Sequence, residues 1–276
     1  MLKFIQTSLY LLCFMLGPLC SGAKPLRIVS VNGTLSEIVA GLGLTSQLVG
    51  VDITSTYPES LQKVPKVGHN RSLSAEGILS LNPDLIIYTN ESMVSDRLLS
   101  QLKASGKKVV LFEQVYSKQG AIDLIRAVGK YFDRNAQAEK MVTTVENDLR
   151  RLVRPEKPQK LLFIYARGTA TMMVAGTGTA LEALFGLTGN INAVQGFSNF
   201  KPLTAEALVM ANPDVLVLFD SGLESLDGPQ GLLKVPGVMA TNAGKNKKIV
   251  SMDGQLLTSY GPRLGKAAIE LAQKIK

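Results

Sequence analysis

Apolar and polar residues follow two different periods along this chain. Short, almost continuous apolar runs, such as "LRIVSV" at 26–31 and "VLVLF" at 215–219, are typical of strands that are covered on both faces. Segments with apolar residues three or four positions apart, such as 35–42 and 264–275, are typical of helices that bury one face. The two kinds of segment follow each other in turn, which predicts parallel sheets flanked by helices.

The predicted elements form two groups on either side of one helical segment. The first group has strands at 26–31, 48–51, 85–88 and 109–112 and helices at 35–42, 74–81 and 93–105. The second has strands at 161–165, 215–219 and 248–251 and helices at 179–187, 205–211 and 264–275. We therefore predict an N-terminal lobe at 24–119, a linking helix at 120–154, interrupted near Asp133, and a C-terminal lobe at 155–276.

One internal repeat relates the two groups. The segment "LSAEGILSLNPDLIIY" at 73–88 matches "LTAEALVMANPDVLVLF" at 203–219 in the order of its cap, Ala-Glu, apolar and Asn-Pro-Asp positions. A capping Ser or Thr begins each predicted helix and a proline ends it before a buried strand. The predicted fold is α/β, with two similar Rossmann-like lobes joined by a long α-helix and a ligand cleft between the lobes.

The first 23 residues have the layout of a cleavable secretory signal. Lys3 precedes an apolar run at 4–19, and the small residues "CSGA" follow it. The run is too short to span a bilayer, which needs roughly 20 apolar residues. A retained anchor and a lipid on Cys20 are the alternatives, and Gly17-Pro18-Leu19 is a poor context for lipidation. We therefore expect a periplasmic protein.

Composition narrows the function further. Cleavage would remove both cysteines, Cys13 and Cys20, so the mature chain would depend on a hydrophobic core. The formal net charge is +8 and the leader contributes only Lys3 to it. This excess favours an anionic small ligand or an anionic membrane surface, and nucleic acid is not an expected partner outside the cytoplasm.

The sequence offers little for an exported enzyme. It contains no Gly-x-Ser-x-Gly or His-Glu-x-x-His motif, and no cysteine nucleophile remains after processing. A carrier of bare zinc or manganese is also disfavoured, because such sites need several donors and His69 is the only histidine. A binding protein is the expected class.

These features together resemble the helix-linked substrate-binding proteins of bacterial ABC importers, which carry haem, cobalamin, iron-siderophores and some metal ions. The segment "VGVDITSTYPESLQKVPKVGHNRSLSAEGILSLNPDLII" at 49–87 is most similar to periplasmic haemin-binding proteins. The resemblance implies a monomer that captures haem and delivers it to an ABC permease dimer, downstream of an outer-membrane haem receptor system. Cobalamin or an iron-siderophore is the alternative cargo.

The resemblance also implies a haem site. His69 stands where this family typically has a tyrosine iron ligand, and Arg71 stands at the basic position two residues later. Neutral imidazole is an established axial ligand of haem iron. A lone loop histidine also serves as a surface or hydrogen-bonding residue, so both roles stay open.

A second set of candidates comes from "YARGTATMMVAG" at 165–176, which follows a predicted strand and is expected to face the cleft. Met172 or Met173 is a candidate second iron ligand, with plain packing as the alternative. Tyr165 is a candidate phenol donor or ring contact. Arg167 is a candidate partner for a haem propionate or for the porphyrin face.

Other residues are assigned to the cleft wall or to docking. Tyr57 is expected to pack on the macrocycle. Glu76 and Glu206, the glutamates of the repeat, are implied by the resemblance to dock onto permease arginines, although a glutamate there also stabilises a helix N-terminus by itself. Weaker candidates for the apolar wall are Phe197, Phe200 and Tyr260.

Overall fold

The N-terminal lobe is built on a four-stranded parallel sheet. The computed structural model describes residues 24–69, 72–92 and 94–276, so the predicted signal segment, Arg71 and Met93 lie outside the described residues. The strands, in the spatial order β2-β1-β3-β4, are β1 (Ile28–Ser30), β2 (Leu48–Val51), β3 (Leu85–Thr89) and β4 (Lys108–Phe112). The four strands predicted for this region are present: β2 has the predicted bounds, and the ends of the others differ from the prediction by at most two residues.

Three helices flank this sheet, and all three were predicted. They are α1 (Gly33–Gly41), α2 (Ala75–Leu79) and α3 (Asp96–Ala104), with 3-10 helices at Thr45–Gln47 and Glu59–Lys63. Each α-helix begins at a side-chain cap: Asn32 accepts from Leu35, Ser74 from Gly77 and Ser95 from Leu98. Such caps satisfy backbone N–H groups that have no partner inside the helix.

The segment predicted as one linking helix forms two helices. They are α4 (Lys118–Tyr131) and α5 (Asn135–Arg150), which pack against each other. The break falls at 132–134, where Asp133 adopts a left-handed conformation with φ of 53°. That conformation ends a helix, and the polar Asp-Arg-Asn triplet that suggested an interruption coincides with it.

The C-terminal sheet has six strands and mixed directions. The strands are β5 (Lys160–Arg167), β6 (Thr171–Ala175), β7 (Ile191–Asn192), β8 (Phe200–Pro202), β9 (Val215–Phe219) and β10 (Ile249–Met252). Their order is β10-β9-β5-β6-β8, and β7 pairs with the start of β5. The strand β6 is antiparallel to β5 and β8, whereas the other pairs are parallel. The antiparallel part was not predicted, because the segment at 165–176 was expected only to follow a strand and to face the cleft.

The helices of this lobe are mostly short. They are α6 (Ala180–Leu187), α7 (Ala205–Ala211), α8 (Asp220–Glu224), α9 (Gly228–Leu232), α10 (Asn242–Lys245), α11 (Gly254–Thr258) and α12 (Leu264–Lys274), with a 3-10 helix at Val238–Ala240. Three of them, α6, α7 and α12, match predicted helices. No helix in the described part of the chain has the length and apolar character needed to cross a bilayer.

The internal repeat has the same hydrogen bonds in both lobes. The asparagine of the motif is left-handed in both lobes, with φ of 45° at Asn82, three residues after α2, and 41° at Asn212, the C-cap of α7. The following aspartates, Asp84 and Asp214, each accept a hydrogen bond from the backbone at the start of the lobe's central strand region, at 3.0 and 2.9 Å. The Asn-Pro-Asp motif therefore attaches the end of each helix to the first strand of its own lobe.

One hydrophobic cluster runs through both lobes and the helices between them. It includes Ile28 and Leu35 of the N-terminal lobe, Val145 of α5, and Phe163 and Leu264 of the C-terminal lobe, all at most 1% exposed. Burial of each such side chain stabilises the fold by about 1.5–3 kcal/mol. The lobes are thus held together by a shared core.

Helix α5 approaches its neighbours too closely for larger residues. A Cβ atom on Gly41 of α1 would lie 2.5 Å from the sulfur of Met141, and one on Gly265 of α12 would lie 2.4 Å from Cβ of Asp148. A Cβ on Gly129 of α4 would lie 2.4 Å from Cβ of Ala138. Helices from both lobes therefore contact α5 at glycines.

Candidate ligand-binding site

The lobes meet beyond the carboxyl ends of their strands. Gln255, which follows β10, is hydrogen-bonded to Thr56 and Tyr57 in the loop that follows β2. In open α/β sheets, ligands bind beyond this edge of the strands. Three large apolar residues lie exposed there on the N-terminal side: Ile53 (46%), Tyr57 (43%) and Val115 (50%). This edge of the two sheets is therefore the candidate ligand-binding site.

His69 lies at this edge because its segment runs beside the end of β2. The N–H of Val67 donates to the carbonyl of Val51, and the N–H of Ile53 donates to the carbonyl of Gly68, both at 3.0 Å. Gly68 has φ of 112°, a conformation that residues with a Cβ rarely adopt. The His69 side chain is half-buried, and its carbonyl accepts a hydrogen bond from the N–H of Ser72 at 2.8 Å. The candidate Arg71 lies outside the described residues.

The loop that carries Tyr57 is anchored by the buried carboxyl group of Asp52. Asp52 is fully buried and accepts hydrogen bonds from the N–H and hydroxyl of Thr54 and from the hydroxyl of Ser55. Lys66 donates to the carbonyls of Ser55 and Leu61 at 2.8 and 3.0 Å, and its burial lowers the pKa of its ammonium. These contacts give the loop a defined shape up to Tyr57.

Residues of the C-terminal lobe hold Tyr57 from the other side. The amide oxygen of Gln255 accepts from the N–H of Tyr57 at 2.9 Å, and the guanidinium carbon of Arg263 lies 3.7 Å from the centre of its ring. Arg263 also donates two hydrogen bonds to Glu37 of α1, at 3.0 and 2.9 Å. Burial raises the pKa of the Glu37 carboxyl, and the pairing with Arg263 partly offsets this effect.

On the C-terminal lobe, the register of β5 and β6 decides which candidates share a face. Tyr165 pairs with Met173, and Arg167 pairs with Thr171. Side chains of directly paired residues lie on the same face of a sheet. Tyr165 is half-buried, its ring lies 6.2 Å from that of Phe219, and the Arg167 guanidinium lies 5.8 Å from the Tyr165 ring centre. Tyr165, Met173, Arg167 and Phe219 thus surround the end of β5 on one face.

Met172 points the other way. It pairs with Ala166 and packs against a separate apolar cluster that includes Leu162, Ile164 and Val174. The two adjacent methionines that were equivalent in the sequence therefore have different surroundings. Only Met173 shares a face with Tyr165.

The weaker wall candidates have three different surroundings, and only Phe200, which pairs with Ala175 two residues along β6 from Met173, lies on the Tyr165 face. Tyr260 is 1% exposed and donates its hydroxyl to the carbonyl of Ala180 at 3.1 Å, so its assignment to the cleft wall is wrong. Phe200 packs edge-on against Phe163. Phe197 packs on the cluster that also contains Met172 and lies beneath Lys201.

Glu76 and Glu206 occupy matching positions in the two lobes. Each is exposed in the first turn of its helix, directly after a cap, Ser74 or Thr204, whose φ is −117° in both cases. Their carboxylates favour the helix N-terminus electrostatically and remain accessible to a partner. Among the described residues, no three acidic, histidine or cysteine side chains cluster in a way that would hold a bare metal ion.

A family model described as periplasmic binding protein matches residues 28–256. This chain belongs to the periplasmic binding protein family. Members of the family are substrate-binding proteins of transporters and not enzymes, and they act outside the cytoplasmic membrane. The sequence-based expectations of this family, of a two-lobe α/β fold and of a non-enzymatic binding role are confirmed.

Solved structures that resemble this periplasmic binding protein include several named for haem. The periplasmic haem-binding protein RhuT from Roseiflexus sp. RS-1, in apo form, is 38% identical with a TM-score of 0.85, covering 91% of this chain and 98% of that one. The haem-binding protein BhuT, solved with two haems, is 34% identical with a TM-score of 0.84, covering 90% and 97%. The haem-binding protein HmuT is 30% identical with a TM-score of 0.82, covering 91% and 85%, and forms with a tyrosine, an arginine or a histidine replaced by alanine are also solved.

Two further relatives point to the wider family. The ABC transporter substrate-binding lipoprotein YvrC of Bacillus subtilis is 29% identical over 258 residues, which is 91% of this chain and 80% of YvrC. The vitamin B12-binding protein of Photorhabdus laumondii is 24% identical over 262 residues, 92% of this chain and 89% of its own.

Sequence reasoning missed four residues of this binding protein's site. Glu37 and Arg263 form the buried pair, Gln255 bridges the lobes, and Phe219 lies beside Tyr165. The only signal for Glu37 was that it is the one charged residue of its helix, and the only signal for Phe219 was its place at the end of a buried strand. Nothing local indicated that Gln255 and Arg263 contact the other lobe.

Proposed function

We propose that this periplasmic binding protein captures haem and delivers it to the permease dimer of an ABC importer. The single observation that carries the proposal is the arrangement of donors: His69 lies at the edge of one lobe and Tyr165 at the edge of the other. Similarity to haem-binding proteins over about nine-tenths of the chain supports it. No covalent chemistry is required.

In this proposal, His69 is an axial ligand of the haem iron. Neutral imidazole binds both ferric and ferrous haem, whereas a tyrosine phenolate would favour the ferric state through its charge. The exposed apolar residues Ile53, Tyr57 and Val115 would cover part of the macrocycle on the same lobe. Apolar surface beside a few polar groups is the usual composition of a small-molecule site.

Tyr165 is our preferred second ligand. It shares its face with Met173, and the guanidinium carbon of Arg167 lies 5.8 Å from its ring centre. The substituted tyrosine and arginine of HmuT lie two positions apart, as Tyr165 and Arg167 do. The substituted histidine of HmuT precedes its tyrosine by nearly the same number of residues as His69 precedes Tyr165. Met173 is the remaining sulfur candidate, because Met172 packs in the other cluster.

The haem propionates need cationic partners. Arg167 is exposed at the end of β5, and Arg71 follows His69 by two residues in the sequence. Guanidinium groups pair with carboxylates through two parallel hydrogen bonds, so one arginine on each lobe would suit one propionate each.

Delivery would use the matched glutamates. Glu76 and Glu206, exposed on α2 and α7, would each meet a basic residue of one permease subunit. Charge pairs at the rim of an interface fix orientation and speed association. An outer-membrane haem receptor system would supply the cargo upstream, and the binding protein would act as a monomer.

The leader at 1–23 is part of the same proposal. A cleavable secretory signal would release the mature chain into the periplasm. YvrC, a similar protein, is a lipoprotein, which keeps a lipid on Cys20 as the alternative. Mass spectrometry of the mature N-terminus distinguishes the two.

A haemin titration tests the proposal. The purified mature chain should bind haemin with an axially ligated absorption spectrum, His69→Ala should change that spectrum, and Tyr165→Phe should remove its phenolate component. Tyr131→Phe is the matched control, because Tyr131 packs between Phe112 and Phe132 away from the site. Unchanged spectra and affinities in both His69→Ala and Tyr165→Phe would exclude the proposed ligation, and absence of haemin binding would exclude the cargo.

Cobalamin is the second candidate cargo, because vitamin B12-binding proteins are among the similar proteins. It also presents a flat macrocycle with a central metal. Competition between haemin and cyanocobalamin on the wild-type chain separates the two, and an iron-siderophore can be added as a third competitor. Tighter binding of cyanocobalamin than of haemin would replace the haem assignment.

A further inference from the structure

Tyr57 belongs to the N-terminal lobe, but residues of the C-terminal lobe fix its position. The amide oxygen of Gln255 accepts hydrogen bonds from the N–H and hydroxyl of Thr56 and from the N–H of Tyr57, at 2.8, 2.7 and 2.9 Å. Its amide nitrogen donates to the carbonyl of Gly33 at 3.1 Å. Gln255 is 8% exposed and therefore bridges two segments of the opposite lobe from a buried position.

Arg263 fixes the ring itself. Its guanidinium carbon lies 3.7 Å from the ring centre of Tyr57, which is the distance of direct face-to-face contact. Tyr57 is nevertheless 43% exposed. One face of the ring is thus covered by a planar cation, and a large part of the remaining surface is accessible at the edge where the ligand would bind.

Arg263 does not itself present a charge to an anionic ligand. Its Nε and Nη2 atoms donate to the two carboxylate oxygens of Glu37, and its side chain is 12% exposed. The pair is neutral overall and buried. Arg263 can therefore contribute to ligand binding only indirectly, by supporting the ring of Tyr57 that stacks on it.

We propose that Arg263 and Gln255 are positioning residues that hold Tyr57 as a rigid stacking surface for a flat macrocycle across the boundary between the lobes. The inference rests on the proposed function, since it assigns a support to the same site. A ring whose rotamer is already fixed loses little conformational entropy on binding. A cation beneath the ring also withdraws electron density from it, which favours stacking of an electron-rich porphyrin on the opposite face.

The placement has a consequence for release. The supports are on one lobe and the ring is on the other, and three hydrogen bonds of 2.7–2.9 Å cannot lengthen by more than a few tenths of an ångström without breaking. A small separation of the lobes would therefore free Tyr57 and weaken the grip on the macrocycle. Iron ligation and stacking would be lost in the same movement.

A double-mutant cycle tests the inference. Arg263→Lys retains a cation for Glu37, so the fold should persist, but it loses the planar contact with Tyr57. We expect haemin affinity to fall about tenfold in Arg263→Lys, with an unchanged iron-ligand spectrum. In a Tyr57→Ala background, the same change should alter affinity by less than about twofold, because the coupled residue is gone. Gln255→Ala should behave like Arg263→Lys in both backgrounds.

The controls distinguish this inference from the proposed function. Arg126→Lys alters an exposed arginine–glutamate pair far from the site and should leave haemin affinity unchanged. An equal loss from Arg263→Lys with and without Tyr57, or no loss at all, would overturn the positioning role while haem binding stands. If the wild type binds no haemin, the proposed function fails. The same double-mutant cycle is then measured with cyanocobalamin as the ligand. Absence of cyanocobalamin binding, or equal losses with and without Tyr57, would overturn the inference too.

Discussion

The carboxylate of Glu37, 3% exposed on the first helix of the N-terminal lobe, receives two hydrogen bonds from Arg263 at the start of the last helix of the C-terminal lobe. The pair joins residues that are 226 positions apart in the chain. Removal of one partner would leave a buried charge without compensation, which costs far more than the pair contributes as a unit.

We expect Arg263→Met to lower the free energy of unfolding by about 3–5 kcal/mol. Urea denaturation monitored by circular dichroism measures this. The matched control is Arg126→Met, which breaks a similar two-bond pair with Glu139 at the surface, where both side chains are about half exposed. That change should lower the free energy of unfolding far less, because water screens an exposed pair, and equal losses in the two variants would show that burial of the Glu37 pair has no special weight.

The same pair predicts a pH dependence of stability. Burial raises the pKa of the Glu37 carboxyl, and Arg263 partly offsets this effect. A carboxyl with a higher pKa in the folded state favours folding while it is protonated, so its stabilising effect is complete below the unfolded pKa and is lost as pH rises through the folded value. Without Arg263, the difference between the folded and unfolded pKa of Glu37 becomes larger. Each additional pKa unit changes the pH-dependent part of the folding free energy by about 1.4 kcal/mol.

Arg263→Met should therefore lose more Tm relative to the wild type at about pH 8 than at about pH 5. Differential scanning calorimetry at the two pH values measures the difference. The double variant Glu37→Gln/Arg263→Met removes the titrating group, so its Tm deficit relative to the wild type should not grow between about pH 5 and about pH 8. A deficit in Arg263→Met that does not change with pH would contradict the assignment to Glu37.

The two adjacent methionines should separate stability from binding. Met172→Ala removes packing against the cluster that includes Leu162, Ile164 and Val174 and should cost about 2 kcal/mol of stability with no change in haemin affinity. Met173→Ala lies on the Tyr165 face and should weaken haemin binding by about threefold, a loss of one apolar contact, with the iron spectrum unchanged. A spectral change in Met172→Ala would instead identify Met172 as a ligand.

Docking should be separable from capture. Charge reversal at Glu76 or Glu206, on exposed first turns in opposite lobes, should leave haemin affinity unchanged and reduce haem uptake in proteoliposomes that contain the permease by about tenfold or more. Each reversal should also cost its helix about 0.3–1 kcal/mol. Glu156→Arg is the control, an equal charge change at an exposed site in the link before β5, and equal inhibition by Glu156→Arg would point to net charge alone.

Much of the fold follows from local signals. The strand β9 reads "VLVLF" because both of its faces are covered, and the duplicated Asn-Pro-Asp motif follows both α2 and α7 with a left-handed asparagine. The capping Ser74 and Thr204 were identified correctly from the sequence, since a cap needs only its own helix. The position of the break between α4 and α5 also had a local cause, the polar triplet that begins with Asp133.

The missing parts depend on distant contacts. The hairpin of β5 and β6 was not predicted, because "TMMVA" is short and follows a glycine-containing turn that also suits a loop. Its register alone separates Met172 from Met173. Tyr260 was placed in the cleft wall because it is aromatic, but its position between Tyr116 and α6 buries it.

The glycine contacts of α5 limit how the lobes can move. Gly41 and Gly265 bring α1 and α12 against this one helix from opposite halves of the chain, where an added Cβ atom would lie 2.5 and 2.4 Å from side-chain atoms of α5. A wide swing of one half about the other would drive backbone into side chains at these points. The radius of gyration of the empty and loaded forms should therefore agree within about an ångström in X-ray scattering. Cargo would then enter and leave through small displacements at the edge where the two lobes meet.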